Sequence, residues 1–149
     1  MKSVDLRSLV PGIRGHRLHV VPAAEEAKVR AALTAAGFEI VTVAGTAITN
    51  VSTLFAEMAR AFPFPDYFGH NWAALMDCLR DLRDRENTRI ALLWVDADAS
   101  LDADLQTLLD ACDLLENVAS ELAEDDEIGD AHQLEVFLLG AGSGFGPSA

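Results

Sequence analysis

Short runs of apolar residues alternate along the chain with longer stretches in which apolar positions recur at helical spacing. RLHVV at 17–21 predicts a short strand, stopped by Pro22. In AAEEAKVRAALTAAG, Ala27, Val29, Ala32, Leu33 and Ala36 fall near one helical face, with acids in the first turn and Gly37 at the C-terminal cap position. FEIVTV then predicts a second strand, so the first 44 residues read as β-α-β, with parallel strands if the two are neighbours in one sheet. Asn50 is a good N-cap for VSTLFAEMARAF, in which Val51, Leu54, Phe55, Met58 and Phe62 form an apolar stripe; Pro63 and Pro65 close that helix. A further helix is expected from about Asn71 to about Arg85.

RIALLWV at 89–95 is a continuous apolar run rich in branched residues, the pattern of a strand buried on both faces of a parallel sheet. In SLDADLQTLLDACDLLENVASELA, residues Leu101, Leu105, Leu108, Leu109, Cys112, Leu115, Val118, Ala119 and Leu122 keep helical register with acids opposite. Two readings stay open there: Ser100 caps the segment, or the chain breaks into two helices near Asp113. AEDDEIGDAH reads as an acidic loop, LEVFLLG as the last strand and residues 141–149 as a flexible tail, while residues 1–15, with Pro11, Gly12 and Gly15, read as a poorly ordered arm. Because strands and helices alternate, the expected class is α/β: a small, mainly parallel sheet of three to four strands covered by helices, in a single domain over 1–149.

Charge divides the chain. The net value is −13; residues 1–65 carry seven basic and five acidic side chains, whereas residues 66–149 carry four and nineteen, a net of −15. Such a surface repels nucleic-acid phosphates and anionic lipid and attracts a basic partner at long range. The apolar runs are too short to cross a bilayer and the N-terminus lacks the apolar block of a signal peptide, so a cytoplasmic protein is expected. Cys78 and Cys112 stand in no metal-ligand spacing and, among Leu and Ala, read as buried reduced thiols.

The most distinctive stretch is FPFPDYFGHNWAALMDCLRDL, at 62–82. On a helix Trp72, Leu75, Met76, Leu79 and Leu82 fall on one side and Ala73, Asp77, Arg80, Asp81 and Asp84 on the other, giving an apolar foot under an acidic face. Asn71 is placed to cap this helix, and Gly69 is expected to take a backbone conformation that other residues resist. Pro65, Tyr67 and Phe68 would stiffen the loop before it.

These residues resemble the core motif of barstar-like proteins, intracellular inhibitors of secreted ribonucleases. The shared features are P-D-Y-F-G-x-N-W followed at fixed spacing by D-C-L, about 20 residues, and the order of elements from FEIVTV to LEVFLL also follows that fold. The resemblance implies that Asp77 enters the cationic site where the RNA phosphate would sit, accepting charge-assisted hydrogen bonds. It also implies that Tyr67 and Gly69 line the contact surface, with His70, Asn71, Ala73, Met76, Arg80 and Asp81 completing the partner-binding face. Ala73 stands where a second contact aspartate is expected, and Met76 where an aromatic one is. Arg80 can pair with Asp77, and Glu116 and Glu121 are both candidates for a further acidic contact from the last long helix. Residues 1–37 lie outside the core of the resemblance as an N-terminal βα extension. The implied partner is a basic ribonuclease or toxin protein, bound by a chain that is monomeric when free.

An enzyme is the rival class. His16 and His19 would point to opposite faces of a strand, a poor chelate, and no metal or cofactor is expected. His70 with Asp66, Asp77 and Cys78 resembles a thiol-based catalytic set, but Cys78 is turned about 100° from Asp77 on an acidic helix, which disfavours a thiolate. No phosphate-binding glycine loop opens a helix. A further alternative is a binding or immunity module that keeps the fold and serves a partner other than a ribonuclease.

Overall fold

The computed structural model describes residues 17–65, 68–124 and 131–145. Four strands, β1 (Leu18–Pro22), β2 (Glu39–Ala44), β3 (Arg89–Val95) and β4 (Gln133–Gly140), form one sheet in the order β1-β4-β3-β2, and every pairing is parallel. Five helices connect them: α1 (Glu26–Ala35), α2 (Val51–Ala61), α3 (Trp72–Arg80), α4 (Ala97–Ala103) and α5 (Leu105–Leu122). The class is α/β with a small parallel sheet covered by helices, as the alternating pattern predicts.

Handedness explains which helix lies where. The chain passes from β1 to β2 across the whole sheet in one direction, then returns through β3 to β4 in the other. Right-handed crossovers in opposite directions put their helices on opposite faces. Accordingly Val29 and Leu33 of α1 pack with Phe38, Ala91, Leu93, Phe137 and Leu139 in one core. The residues from α2, α3 and α5 pack with Val41, Val43, Ile90, Leu92, Trp94, Val136 and Leu138 in the other. Both faces of β3 and β4 are therefore covered, and RIALLWV and LEVFLL are apolar on both faces apart from Arg89 at the start of β3 and Glu135 in β4. The first two strands are parallel but lie at opposite edges; β1 adds to the sheet beside β4, joined in register from Leu18 opposite Val136 to Pro22 opposite Gly140.

Two polar ties hold the layers. Glu57 of α2 is buried, accepts the Ala44 N–H at 2.7 Å and takes two hydrogen bonds from Arg60, which anchors the helix to the end of β2. At the other edge, buried His19 of β1 shares a 2.8 Å hydrogen bond with buried Glu135 of β4 and stacks on Phe137. Gly45 follows β2 where a Cβ would meet the Asp96 carbonyl oxygen at 2.2 Å, so only glycine fits that approach.

Several local expectations are corrected. The break in the long helical stretch falls at Asp104, neither at Ser100 nor at Asp113. Asp104 is extended (φ −160°), and its carboxylate accepts from the Thr107 N–H at 3.1 Å and the Thr107 hydroxyl at 2.9 Å, starting α5 afresh. Ser100 is buried and links the Trp94 indole N–H to the Gly45 carbonyl. Leu105 and Leu109 are half exposed, because the new start turns them away from the sheet. The helix expected to reach Arg85 is α-helical only to Arg80 and tightens into a 3-10 turn at Asp81–Asp84. The stretch read as a tail bends at Ser143–Phe145, and Phe145 is buried against Gly140 because its ring completes the larger core. Residues 1–16, 125–130 and 146–149, which include the N-terminal arm, His16 and most of the acidic loop, lie outside the described residues.

Candidate functional site

The site is built on α3 and the loop before it. Pro63 and Pro65 end the run of α2, and the loop is fixed from inside by aromatic rings. Phe68 is buried, with its ring 5.0 Å from Phe64, 6.3 Å from Phe55 and 4.9 Å from His70. Tyr67, expected to contribute to the contact surface, lies with Asp66 outside the described residues. Asn71 caps the helix as anticipated: its Oδ1 accepts from the Ala74 N–H at 2.8 Å, while its Nδ2 donates to the Gly69 carbonyl at 3.1 Å.

The unusual backbone is at His70, not Gly69. His70 holds the left-handed conformation (φ 48°), and Gly69 is not in that region. What Gly69 provides is room, since a Cβ there would sit 3.0 Å from the Asn71 amide nitrogen. His70 is exposed and rests on Phe68, so ring packing supports a conformation that non-glycine residues adopt at a cost.

The amphipathic division of α3 is as its spacing implies: Leu75 and Leu79 are buried, whereas Ala73, Asp77, Arg80 and Asp81 are exposed. Asp77 has 75% of its side chain open to solvent. Arg80 reaches it at 3.2 Å and also grips both carboxylate oxygens of Glu121 on α5, at 2.8 and 3.1 Å. The Arg80 guanidinium holds the Glu121 carboxyl below its ordinary value, and Glu121 in turn raises that of Arg80. Glu121 thus belongs to this face. Glu116, five residues earlier on α5, is turned about 140° around the helix at about 100° per residue and lies away from it.

Trp72 and Met76 differ from their expected burial in an informative way. Both are half-buried, because they form with Ala73 one wall of an open groove of about 460 Å³. The facing wall is α5, through Asp110, Asp113, Leu114 and Asn117. The sequence reading did not single out this wall as functional. The signal available was the recurrence of residues 110, 113, 114, 117 and 121 along one edge of the long helix.

The thiols argue against nucleophilic chemistry. Cys112 is buried, and burial followed by the charge of Glu116 pushes its pKa up to about 12. Cys78 is half-buried, not buried as expected, since it lines a cleft with Phe62, Pro65 and Asp81; burial, then Asp81 and Asp77, raise its pKa too. Neither setting favours a thiolate.

A family model described as Barstar (barnase inhibitor) matches residues 38–135, from the start of β2 into β4. The chain belongs to the barstar family. The match takes in α3, its cap and the whole groove, and leaves out β1 and α1, although β1 is a strand of the same sheet. No curated protein matches the chain. No helix among the described residues is long and apolar enough to cross a membrane. Barstar-family membership associates the chain with inhibition of barnase-type ribonucleases.

Proposed function

We propose that this barstar-family chain is a cytoplasmic inhibitor of a basic ribonuclease and acts by binding, without turnover, as a monomer in a 1:1 complex. The observation that carries the reading is Asp77: a carboxylate projecting into solvent from a helix whose first turn is fixed by the Asn71 cap and whose foot is buried. A carboxylate held in that way substitutes for the scissile phosphate, accepting hydrogen bonds from the arginine, lysine or protonated histidine of a nuclease site. Rigidity matters because an anion already in place loses little conformational freedom on binding. The net charge of −15 over residues 66–149 supports the reading by drawing a basic protein toward this half of the chain.

Gly69, His70 and Asn71 would form the rim at the start of α3, and Ala73, Met76, Arg80 and Asp81 would border Asp77. In the free protein Arg80 shields Asp77 and Glu121; a partner's cations would compete for both. That shielding, together with the small Ala73, favours a second reading in which the face serves a protein that is not a ribonuclease.

The test is inhibition of RNA cleavage by a small basic ribonuclease captured on the wild-type chain, with Asp77→Ala in parallel. The expected loss is at least about 2 kcal/mol of binding, roughly thirtyfold, with an unchanged melting temperature. Cleavage that continues in the complex, or equal inhibition by the variant, would refute the phosphate-mimic mechanism.

A further inference from the structure

Arg80 does not divide itself evenly between the two carboxylates beside it. Its Nε and Nη2 donate to the two oxygens of Glu121 at 2.8 and 3.1 Å, the paired fork that suits a carboxylate, whereas Nη1 alone reaches Oδ1 of Asp77, at 3.2 Å. Glu121 is also the better anchored of the two. Its backbone carbonyl accepts from Arg83 Nη2 at 2.7 Å, which ties the end of α5 to the turn after α3, and its side chain is 40% exposed against 75% for Asp77. Among the described residues Oδ2 of Asp77 accepts no hydrogen bond. The guanidinium is thus drawn across to α5, and half of the Asp77 carboxylate is left open.

We infer that Glu121 is a positioning residue that acts through Arg80: it holds the guanidinium against α5 so that Asp77, which the same arginine would otherwise cap, stays open to the partner. The alternative role is direct contact with the partner. Both Glu121 oxygens are taken by Arg80, so direct contact requires the two-bond fork to break, whereas Asp77 has one longer bond to give up. Competition from a partner's cations is therefore resolved unequally, with Arg80 leaving Asp77 and staying on Glu121. Arg80 has no comparable holder on its own helix. Asp77 is the carboxylate one turn before it, and Asp81 and Asp84 lie in the 3-10 turn where α-helical spacing ends. Without Glu121 the arginine turns onto Asp77 as a local pair three residues apart. The inference rests on the reading of Asp77 as the contact carboxylate, and it adds that α5 sets the availability of a site carried by α3.

Two measurements on the full chain test this, and the first needs no partner. In a crystal structure of free Glu121→Gln, the Arg80 guanidinium should lie on both oxygens of Asp77. An Arg80 that remains beside the new glutamine, or turns into solvent, would overturn the proposal. The second is a double-mutant cycle on inhibition of the captured small basic ribonuclease, run at about 0.5 M salt, where attraction between distant exposed charges is screened. Glu121→Gln should weaken inhibition about fivefold in the wild-type background, the size of one exposed ion pair newly made on Asp77. In the Arg80→Ala background the same substitution should change inhibition by less than about twofold, because no guanidinium is left to release. An equal loss in both backgrounds would make Glu121 a direct contact, and no loss in either would leave Arg80 without influence on Asp77; both results count against the proposal. The two levels remain separable. If the wild type inhibits no ribonuclease, the inhibitor reading falls, and the position of Arg80 in Glu121→Gln still decides whether Glu121 holds it off Asp77. If inhibition is strong and Arg80 stays in place in that variant, the positioning role falls and the inhibitor reading stands.

Discussion

Trp72 serves two surfaces at once, and that sets the cost of removing it. One edge meets the Phe55 ring at 5.1 Å in a near-perpendicular arrangement, tying α3 to α2, while the remainder faces the groove. A fully buried aromatic truncated to alanine costs roughly 3 to 5 kcal/mol; a half-buried one leaves a gap that solvent fills, and loses mainly the aromatic pair and part of its area. Trp72→Ala is therefore expected to destabilise the fold by about 2 kcal/mol in urea unfolding. A loss as large as that of a core residue would mean that the groove closes on the tryptophan in solution.

At the scale of the element, the caps and the central strands were legible because their signals are local. Asn50 and Asn71 each stand directly before an apolar-periodic run, and each accepts from the backbone N–H three residues on. The branched, apolar RIALLWV identifies a central strand with no knowledge of its neighbours. Asp104 was passed over although D-L-Q-T carries the same type of capping signal, since the leucine periodicity continues across it; a stripe conceals a break that preserves its phase. The conformation at His70 was not legible either, because a ring contact with Phe68 sustains it, and glycine was the residue that propensity favoured. Of the candidate face, α3 could be read from spacing within one helix, whereas the α5 wall required knowing that two helices separated by residues 81–104 lie side by side.

Glu57 gives the element scale its prediction. It binds α2 to the end of β2, and the hydrogen bonds from Arg60, with that from the Ala44 N–H, hold its carboxyl below the ordinary glutamate value despite burial. A carboxyl whose pKa is depressed on folding stabilises above its unfolded value, and that contribution is lost as pH falls through the folded one. Glu57→Gln should then be less stable than wild type at pH 7, and the gap should shrink once the pH drops below about 4. Urea midpoints at pH 7, 5, 4 and 3 would decide; a gap that stays constant over the series would exclude this ionic contribution.

For the whole molecule, the open question in the sequence was where the first strand joins the sheet, and nothing local to RLHVV answers it. Two strands of like composition compete for any exposed edge, and adjacency is set by crossover geometry and by pairs far apart in the chain. Here the pair is His19 with Glu135, 116 residues apart, both buried and 2.8 Å from each other. A buried pair of this kind is strongly destabilising to break and nearly neutral to replace whole, since the cost arises from the partner left without compensation. His19→Leu should leave Glu135, among the described residues, with only the weak 3.5 Å contact from Gln133 and lower stability by about 3 to 5 kcal/mol. Glu135→Leu should be comparably harmful. The double leucine variant, with two apolar side chains facing α1's side of the sheet, should recover most of that loss. Denaturant unfolding of the four proteins closes the cycle: a large favourable coupling would identify the pair as the device that seats β1 beside β4, and additive effects would assign that role to the backbone ladder alone.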